Sequence, residues 1–260
     1  MSHKTDVTLE KKINTFVEEK RIPRKELEYK WPPTKKTPNE KDVIQKFADF
    51  KTNLDTALSL SGSDDAIDDC LVNIVWKWGH VKLPRGKKYC VRYRSLLKEL
   101  HAHQKNFSAF EFPRTQTIFC KINPLCPVSC TVENDPLTRL SAWTKVLAVY
   151  DQNRFWIYDS RVAIALSFVD HSVNWFIPSA NDQKGKHPQL VNLKRRIEEK
   201  RGDSLSPEDS YAVYLRRMGE LDKPCHIEKM LFMLGGFLGN KCTDRDNQFL
   251  QHEFDSFWSC

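Results

Sequence analysis

The sequence predicts a mostly α-helical protein, on three observations. Apolar residues recur at helical spacing through most of the chain. Several of these runs open on helix-start signatures, such as Ser63-Asp64-Asp65 and Ser206-Pro207-Glu208-Asp209. Alternating strand patterns are sparse.

In chain order, residues 6–20 carry a weak helical pattern in Val7, Ile13, Phe16 and Val17. The stretch after it holds Pro23, Pro32, Pro33 and Pro38 among lysines. Residues 1–38 are therefore expected to be a basic, proline-containing arm and linker. Residues 39–260 are expected to form the helical domain. In residues 39–60, Val43, Ile44, Phe47, Phe50 and Leu54 sit at helical intervals, with Asn39 as a cap. The next helix starts at Ser63 and runs through Ile67, Leu71, Ile74 and Val75 to a stop at Gly79. Residues 92–103 also read as helix. Residues 106–135 are irregular, rich in Phe, Pro and Cys. Pro136 suits a first helical turn, and that helix reaches Tyr150. A short, very apolar helix follows from Asp159 to Phe168, then Trp175, Phe176 and Ile177 in a loop. Helices are expected at 189–201 and from Ser206 onward. A last core helix at 227–234 is expected to stop at Gly235-Gly236.

A chain of 260 residues fits one large domain or two small ones, and 40% hydrophobic residues suffice for a core. No run approaches the roughly 18 apolar residues that span a bilayer. The N-terminal residues lack an apolar signal core. The expectation is a cytoplasmic protein with reduced cysteines and no membrane partner.

The net charge is +7, and its placement is uneven. Residues 77–105 carry nine Lys or Arg against one acid, Glu99, a local charge of +8. Trp76, Trp78, Tyr89 and Tyr93 are interleaved with them. A basic cluster with aromatics suits a polyanion whose bases can stack, so contact with a nucleic acid or nucleotide is expected.

The chemistry-bearing feature lies between Ser141 and Arg161. A helix carries one lysine, Lys145, with the small residues Ser141 and Ala148 at i−4 and i+3, on what reads as its polar side. Asp159 stands where the N-cap of the next helix belongs, with Val162, Ala163, Ile164, Ala165 and Leu166 behind it. A helix lysine is ordinarily solvated, and an aspartate before a helix is ordinarily only a cap. Together they form a set that can do nucleophilic chemistry: an amine attacks an electrophilic carbon, and a carboxylate offsets the positive charge that develops.

Thr144-Lys145-Val146, followed by Ile157-Tyr158-Asp159-Ser160-Arg161-Val162, resembles the catalytic core of the helix-hairpin-helix DNA glycosylase superfamily. The 8-oxoguanine DNA glycosylase branch is the nearest to it in pattern. The match covers residues 137–168. It implies a two-lobed helical fold with a central cleft and no cofactor. It also implies a lysine, here Lys145, that forms a Schiff base with the sugar, and an essential aspartate, here Asp159. Expected nucleic-acid contacts are Arg85, Lys87, Lys88, Arg92, Arg94, Arg139, Ser141, Thr144 and Arg161. Trp143, Phe155 and Trp175 are the candidate walls of a flipped-base pocket. The sequence is also similar to divergent bacterial proteins of anti-phage defence operons, which adds protein partners from such an operon as an expectation.

The chain departs from the family where the hairpin usually carries two glycines. It has Arg139-Leu140-Ser141-Ala142-Trp143 instead, and phosphate anchoring there must differ. Two readings follow: a glycosylase/lyase that excises a modified or oxidised purine, and a non-catalytic nucleic-acid- or protein-binding accessory on the same scaffold.

Cys120, Cys126 and Cys130 lack the paired spacing of structural zinc sites, and no metal is expected. Gly235-Gly236-Phe237-Leu238-Gly239 lacks the Lys-Ser/Thr ending of a phosphate loop and reads as a helix stop.

Overall fold

A computed structural model describes residues 7–28, 40–59, 63–78, 94, 97–98, 101, 140–178 and 188–241. The protein is mostly α. Among the described residues there are eight α-helices: α1 (Leu9–Glu19), α2 (Glu40–Ser59), α3 (Asp64–Leu71), α4 (Leu140–Tyr150), α5 (Ser160–Val169), α6 (Pro188–Arg201), α7 (Pro207–Gly219) and α8 (Pro224–Lys241). No described helix is long and apolar enough to cross a membrane. The chain divides into two compact units. The first comprises Met1–Tyr29, Tyr158–Ser210 and Arg217–Cys260; the second comprises Lys30–Ile157 and Tyr211–Arg216.

The first unit is built around α5. Val162 through Val169 are all buried, so this helix has no solvent face. Its main partner is α8, and α1 and α6 pack on it as well. Phe16 of α1 meets Phe168 of α5 with ring centroids 6.2 Å apart.

The segment expected to be an arm is therefore partly core. Leu9, Ile13, Phe16 and Val17 are buried on α1. That helix ends in a tight cap. Arg21 adopts a positive φ of 49°, and the N–H groups of Arg21 and Ile22 donate to the carbonyls of Glu18 and Val17. The cap turns the chain so that Ile22 and Leu27 are buried too. Apolar spacing on a short helix outweighs the neighbouring prolines.

α8 does not stop at Gly235-Gly236 but continues to Lys241. Gly235 is present for a packing reason. A Cβ there would lie 2.0 Å from the backbone oxygen of Arg161, so α5 and α8 cross with backbone against backbone. Gly239 does the same against the Leu190 side chain of α6, where a Cβ would lie 2.6 Å away. Glycines that look like a stop in sequence are here the contact points of a helix crossing.

The ends of the central helix are closed by polar groups inside the unit. Asp170 follows the last turn of α5 and is 1% exposed. Its Oδ1 accepts from Lys12 Nζ at 2.7 Å and from Ser172 Oγ at 2.6 Å. Arg217 Nε stands 3.7 Å from Oδ2. Trp175 Nε1 donates to the Asp170 carbonyl at 3.1 Å, and Arg201 donates to the Ser167 carbonyl at 2.7 Å. Tyr158 donates to the Phe176 carbonyl at 2.7 Å and lies against Trp175. Burial raises the Tyr158 phenol far above its ordinary value. The end of α6 is set by Gly202, whose φ of +72° only glycine adopts freely, and by Asn174, whose side-chain amide donates to the carbonyls around it.

In the second unit α4 is the central element, packed by α2 and by the π-helical turn Val72–Trp78 that continues α3. Ala142 through Tyr150 are all buried. Leu54, Ile67, Leu71, Ile74 and Val75 also belong to this core. Tyr211 of α7 donates to the Trp156 carbonyl at 3.2 Å. After α4 the chain turns on Asp151, whose carboxylate accepts from Asn153 N and pairs with Arg154. The described residues of 92–103, namely Arg94, Leu97, Lys98 and His101, are helical.

Two outcomes are expected from the first unit. Gly235→Ala should cost more than about 3 kcal/mol, because backbone atoms cannot step aside as a flexible side chain can. Gly236→Ala should instead raise stability by roughly 0.5–1 kcal/mol, since its Cβ meets only the end of the Arg161 aliphatic chain at 4.0 Å. Urea melts of the two variants distinguish the crossing from a mere helix stop.

The second outcome concerns acid. Burial alone would raise the Asp170 carboxyl. The hydrogen bonds from Lys12 and Ser172, with the charges of Lys12 and Arg217, outweigh it and hold the group below its ordinary value of 3.8. A depressed carboxyl contributes stability that is complete above the unfolded value and is lost as pH falls through the folded one. Unfolding midpoints should fall below about pH 4. Lys12→Met should lower stability by about 3 kcal/mol at neutral pH, by leaving a buried carboxylate short of its partner, and should flatten the acid dependence.

Candidate functional site

Lys145 sits at the middle of α4, and the structure changes its reading. No polar face exists on this helix, and Lys145 is itself buried, at 4% exposure. Lysine is among the residues least often buried, because its ammonium loses hydration that only hydrogen bonds or charge can replace. Side chains on a helix lean toward its N-terminus, so a long one covers the turn before it. Lys145 follows that geometry. Its Nζ donates to the Ser141 carbonyl oxygen at 3.0 Å and to Ser141 Oγ at 2.9 Å. Ser141 is the one residue of α4 that is not buried. The amine of an otherwise enclosed helix therefore ends at that helix's one partly open position.

Asp159 caps α5 in the first unit. It adopts an extended backbone, and its Oδ1 accepts from the N–H groups of Arg161 at 3.0 Å and Val162 at 3.2 Å. Its exposure is 9%. Both of these capping bonds fall on the same oxygen. Lys145 and Asp159 belong to different units, the chain passing from one to the other between Ile157 and Tyr158.

The residues expected around this pair divide sharply. Ser141 lies against Lys145. Thr144 is fully buried, with Oγ1 donating to the Ser141 carbonyl at 3.4 Å, which is a core position and not a phosphate contact. Trp143 and Phe155 are 2% and 4% exposed and belong to the core of the second unit. Trp175, also 2% exposed, belongs to the first, with its indole N–H bound to Asp170. All three rings are buried within their own units. Arg161 stacks its guanidinium over the Phe232 ring at 4.6 Å, so it packs against α8.

The basic cluster is corrected in part. Arg94 lies between two carboxylates of α3, 3.1 Å from Asp68 and 3.3 Å from Asp64. Lys98 reaches Asp64 at 2.6 Å. The Lys98 hydrogen bond, with the charges of Arg94 and Lys98, outweighs the opposing effect of burial and holds the Asp64 carboxyl below its usual value. Two cations counted toward a polyanion surface thus neutralise a helix with acids at positions 64 and 68. Asp64 and Asp68 stand at i and i+4 on α3, but nothing local ties them to Arg94. Arg85, Lys87, Lys88, Arg92 and Arg139, together with Cys120, Cys126 and Cys130, lie outside the described residues.

The missed feature is the partnership of Ser141 with Lys145. Its signal was present as an i, i+4 pair, the spacing at which helix side chains are neighbours. The Lys12–Asp170 pair was not legible, as its members are 158 residues apart.

No protein-family model matches this sequence, and neither the curated proteins nor the solved structures give a match.

The cap is directly testable. Asp159→Ala should lower stability by about 1 kcal/mol through loss of the two backbone bonds, whereas Asp159→Asn should retain most of it. Thermal melts of the two variants check this, and an equal loss in both would show that capping is not what Asp159 contributes.

Proposed function

We propose that this protein is a DNA glycosylase and abasic-site lyase-like enzyme that excises a modified or oxidised purine through a Schiff base on Lys145. The observation that carries the reading is the burial of Lys145 with its amine gathered at Ser141. A solvated surface lysine, the ordinary alternative, does not have this environment. Attack on carbon requires the neutral amine, held in one direction. The resemblance of residues 144–146 and 157–162 to a glycosylase core supplies the electrophile: C1′ of a nucleotide.

In this reading Nζ of Lys145 attacks C1′ and the bond from C1′ to the base breaks, the base leaving with the bonding electrons. The two amine protons then pass, one to the departed base and one to O4′ as the C1′–O4′ bond breaks, which gives the imine. The Asp159 carboxylate offsets the positive charge on the sugar as the base departs. The cap geometry supports this role, since the N–H groups of Arg161 and Val162 fix the direction of the carboxylate. DNA contacts fall to Ser141, Arg85, Lys87, Lys88, Arg92 and Arg139, because Arg94, Thr144 and Arg161 are engaged elsewhere.

A second reading is a non-catalytic nucleic-acid- or protein-binding accessory, with partners in a defence operon. It is favoured by the burial of Trp143, Phe155 and Trp175, which leaves those rings unavailable to sandwich a flipped base.

Borohydride trapping decides between them. Incubated with duplexes bearing 8-oxoguanine, other oxidised or alkylated purines, or an abasic site, the protein should yield a covalent adduct on at least one of them. Lys145→Ala should yield none, and Asp159→Asn should slow trapping by about a hundredfold or more, as loss of one charge-stabilising group does elsewhere. Absence of an adduct across the whole panel, with DNA binding unchanged by Lys145→Ala, establishes the accessory reading.

A further inference from the structure

Ser141 is the only group on α4 that both touches the Lys145 amine and is not itself buried. A lysine side chain has four rotatable bonds, and an amine that samples many rotamers is a poor nucleophile for a carbon held elsewhere. In this helix the freedom is removed from two directions. Ala142 through Tyr150 are enclosed, which leaves the chain of methylenes little room. At its end, Nζ meets two acceptors of one residue, the carbonyl oxygen at 3.0 Å and Oγ at 2.9 Å. A carbonyl in the first turn of a helix accepts its N–H from four residues on, and its second lone pair is open to a side chain. The hydroxyl is different, because it exists only if the residue is Ser or Thr. Alanine at the same position would keep the carbonyl bond and lose the other.

We infer that Ser141 is a positioning residue for Lys145: its hydroxyl fixes the amine at the one partly open position of α4 and so defines the side from which a substrate reaches it. The inference rests on the reading of Lys145 as a nucleophile for its functional meaning, but not for its geometry. It also accounts for the residue type. Ser141 stands in the stretch where the resembled family carries hairpin glycines, and a glycine has no side chain to hold an amine.

The test has two independent arms. Proton exchange at Lys145 Nζ, followed by NMR on the full chain with labelled lysine, reads the hydrogen bond without any substrate. The resonance is assigned by its loss in Lys145→Arg or, should that variant not fold, in Lys145→Met. Exchange should be slow in the parent, about tenfold faster in Ser141→Ala and restored in Ser141→Thr, as expected for loss and recovery of one hydrogen bond to an amine. Unchanged exchange in Ser141→Ala overturns the inference.

The second arm is the rate of borohydride trapping. It should fall about tenfold in Ser141→Ala and recover in Ser141→Thr, while circular dichroism and the urea midpoint show both variants folded. A trapping rate unchanged in Ser141→Ala also overturns it. A panel with no adduct from the parent protein removes the enzymatic reading alone, and the exchange arm still decides whether Ser141 holds the amine.

Discussion

α5 is buried on every side from Val162 to Val169, and the polar groups at its ends shape the first unit. The first N–H groups and last carbonyls of any helix lack partners within it. Here several find them inside protein. Asp159 supplies an oxygen to two N–H groups at the start. Arg201 and Trp175 supply donors to carbonyls at the end, and Asp170 is held by Lys12 and Ser172. Each solution draws in another element: α1 through Lys12, α6 through Arg201, and the segment after α5 through Trp175. The side of the helix then settles against α8 at Gly235, where only a missing side chain permits the approach. The arrangement of the unit follows from satisfying one short apolar helix.

The second unit has a similar centre with a different polar problem. α4 is enclosed along nearly its whole length, yet it carries a lysine. A buried amine is costly unless it is held, and a helix offers the nearest acceptors one turn back. Ser141 provides two. In each unit, then, the polar residue that the sequence makes conspicuous is answered by local geometry: Asp159 by the N–H groups that follow it, Lys145 by the serine that precedes it. Both arrangements serve the fold. The proposed chemistry uses the same groups, because a side chain fixed in direction inside a protein is what nucleophilic and electrostatic catalysis require.

Much of the helical structure was legible. Spacing of apolar residues marked α1, α2, α3 and α5, and Ser206-Pro207 marked the start of α7, where Ser206 Oγ accepts from Asp209 N at 3.1 Å. Asp159 was legible as a cap because capping depends only on neighbours in sequence. The extent of α8 was not. Glycines signal a stop when read alone, and their role as a crossing point depends on Arg161, which lies 74 residues earlier by the numbering of the chain. Arg94 looked like an open cation because its carboxylate partners lie 26 and 30 residues before it. Trp143, Phe155 and Trp175 are apolar and close to the site in sequence, which is equally the description of core residues.

The sequence by itself determined the class of fold, the starts of its helices and the presence of a lysine and a capping aspartate within one short stretch. These are properties of neighbours, set by backbone hydrogen bonding and by a period of 3.6 residues. Only the tertiary structure decided that Lys145 is enclosed and turned toward Ser141, that Arg94 and Lys98 are paired with α3, and that Gly235 is a contact. Burial and ion pairing depend on which distant segments arrive beside a residue, and that information is distributed over the whole chain.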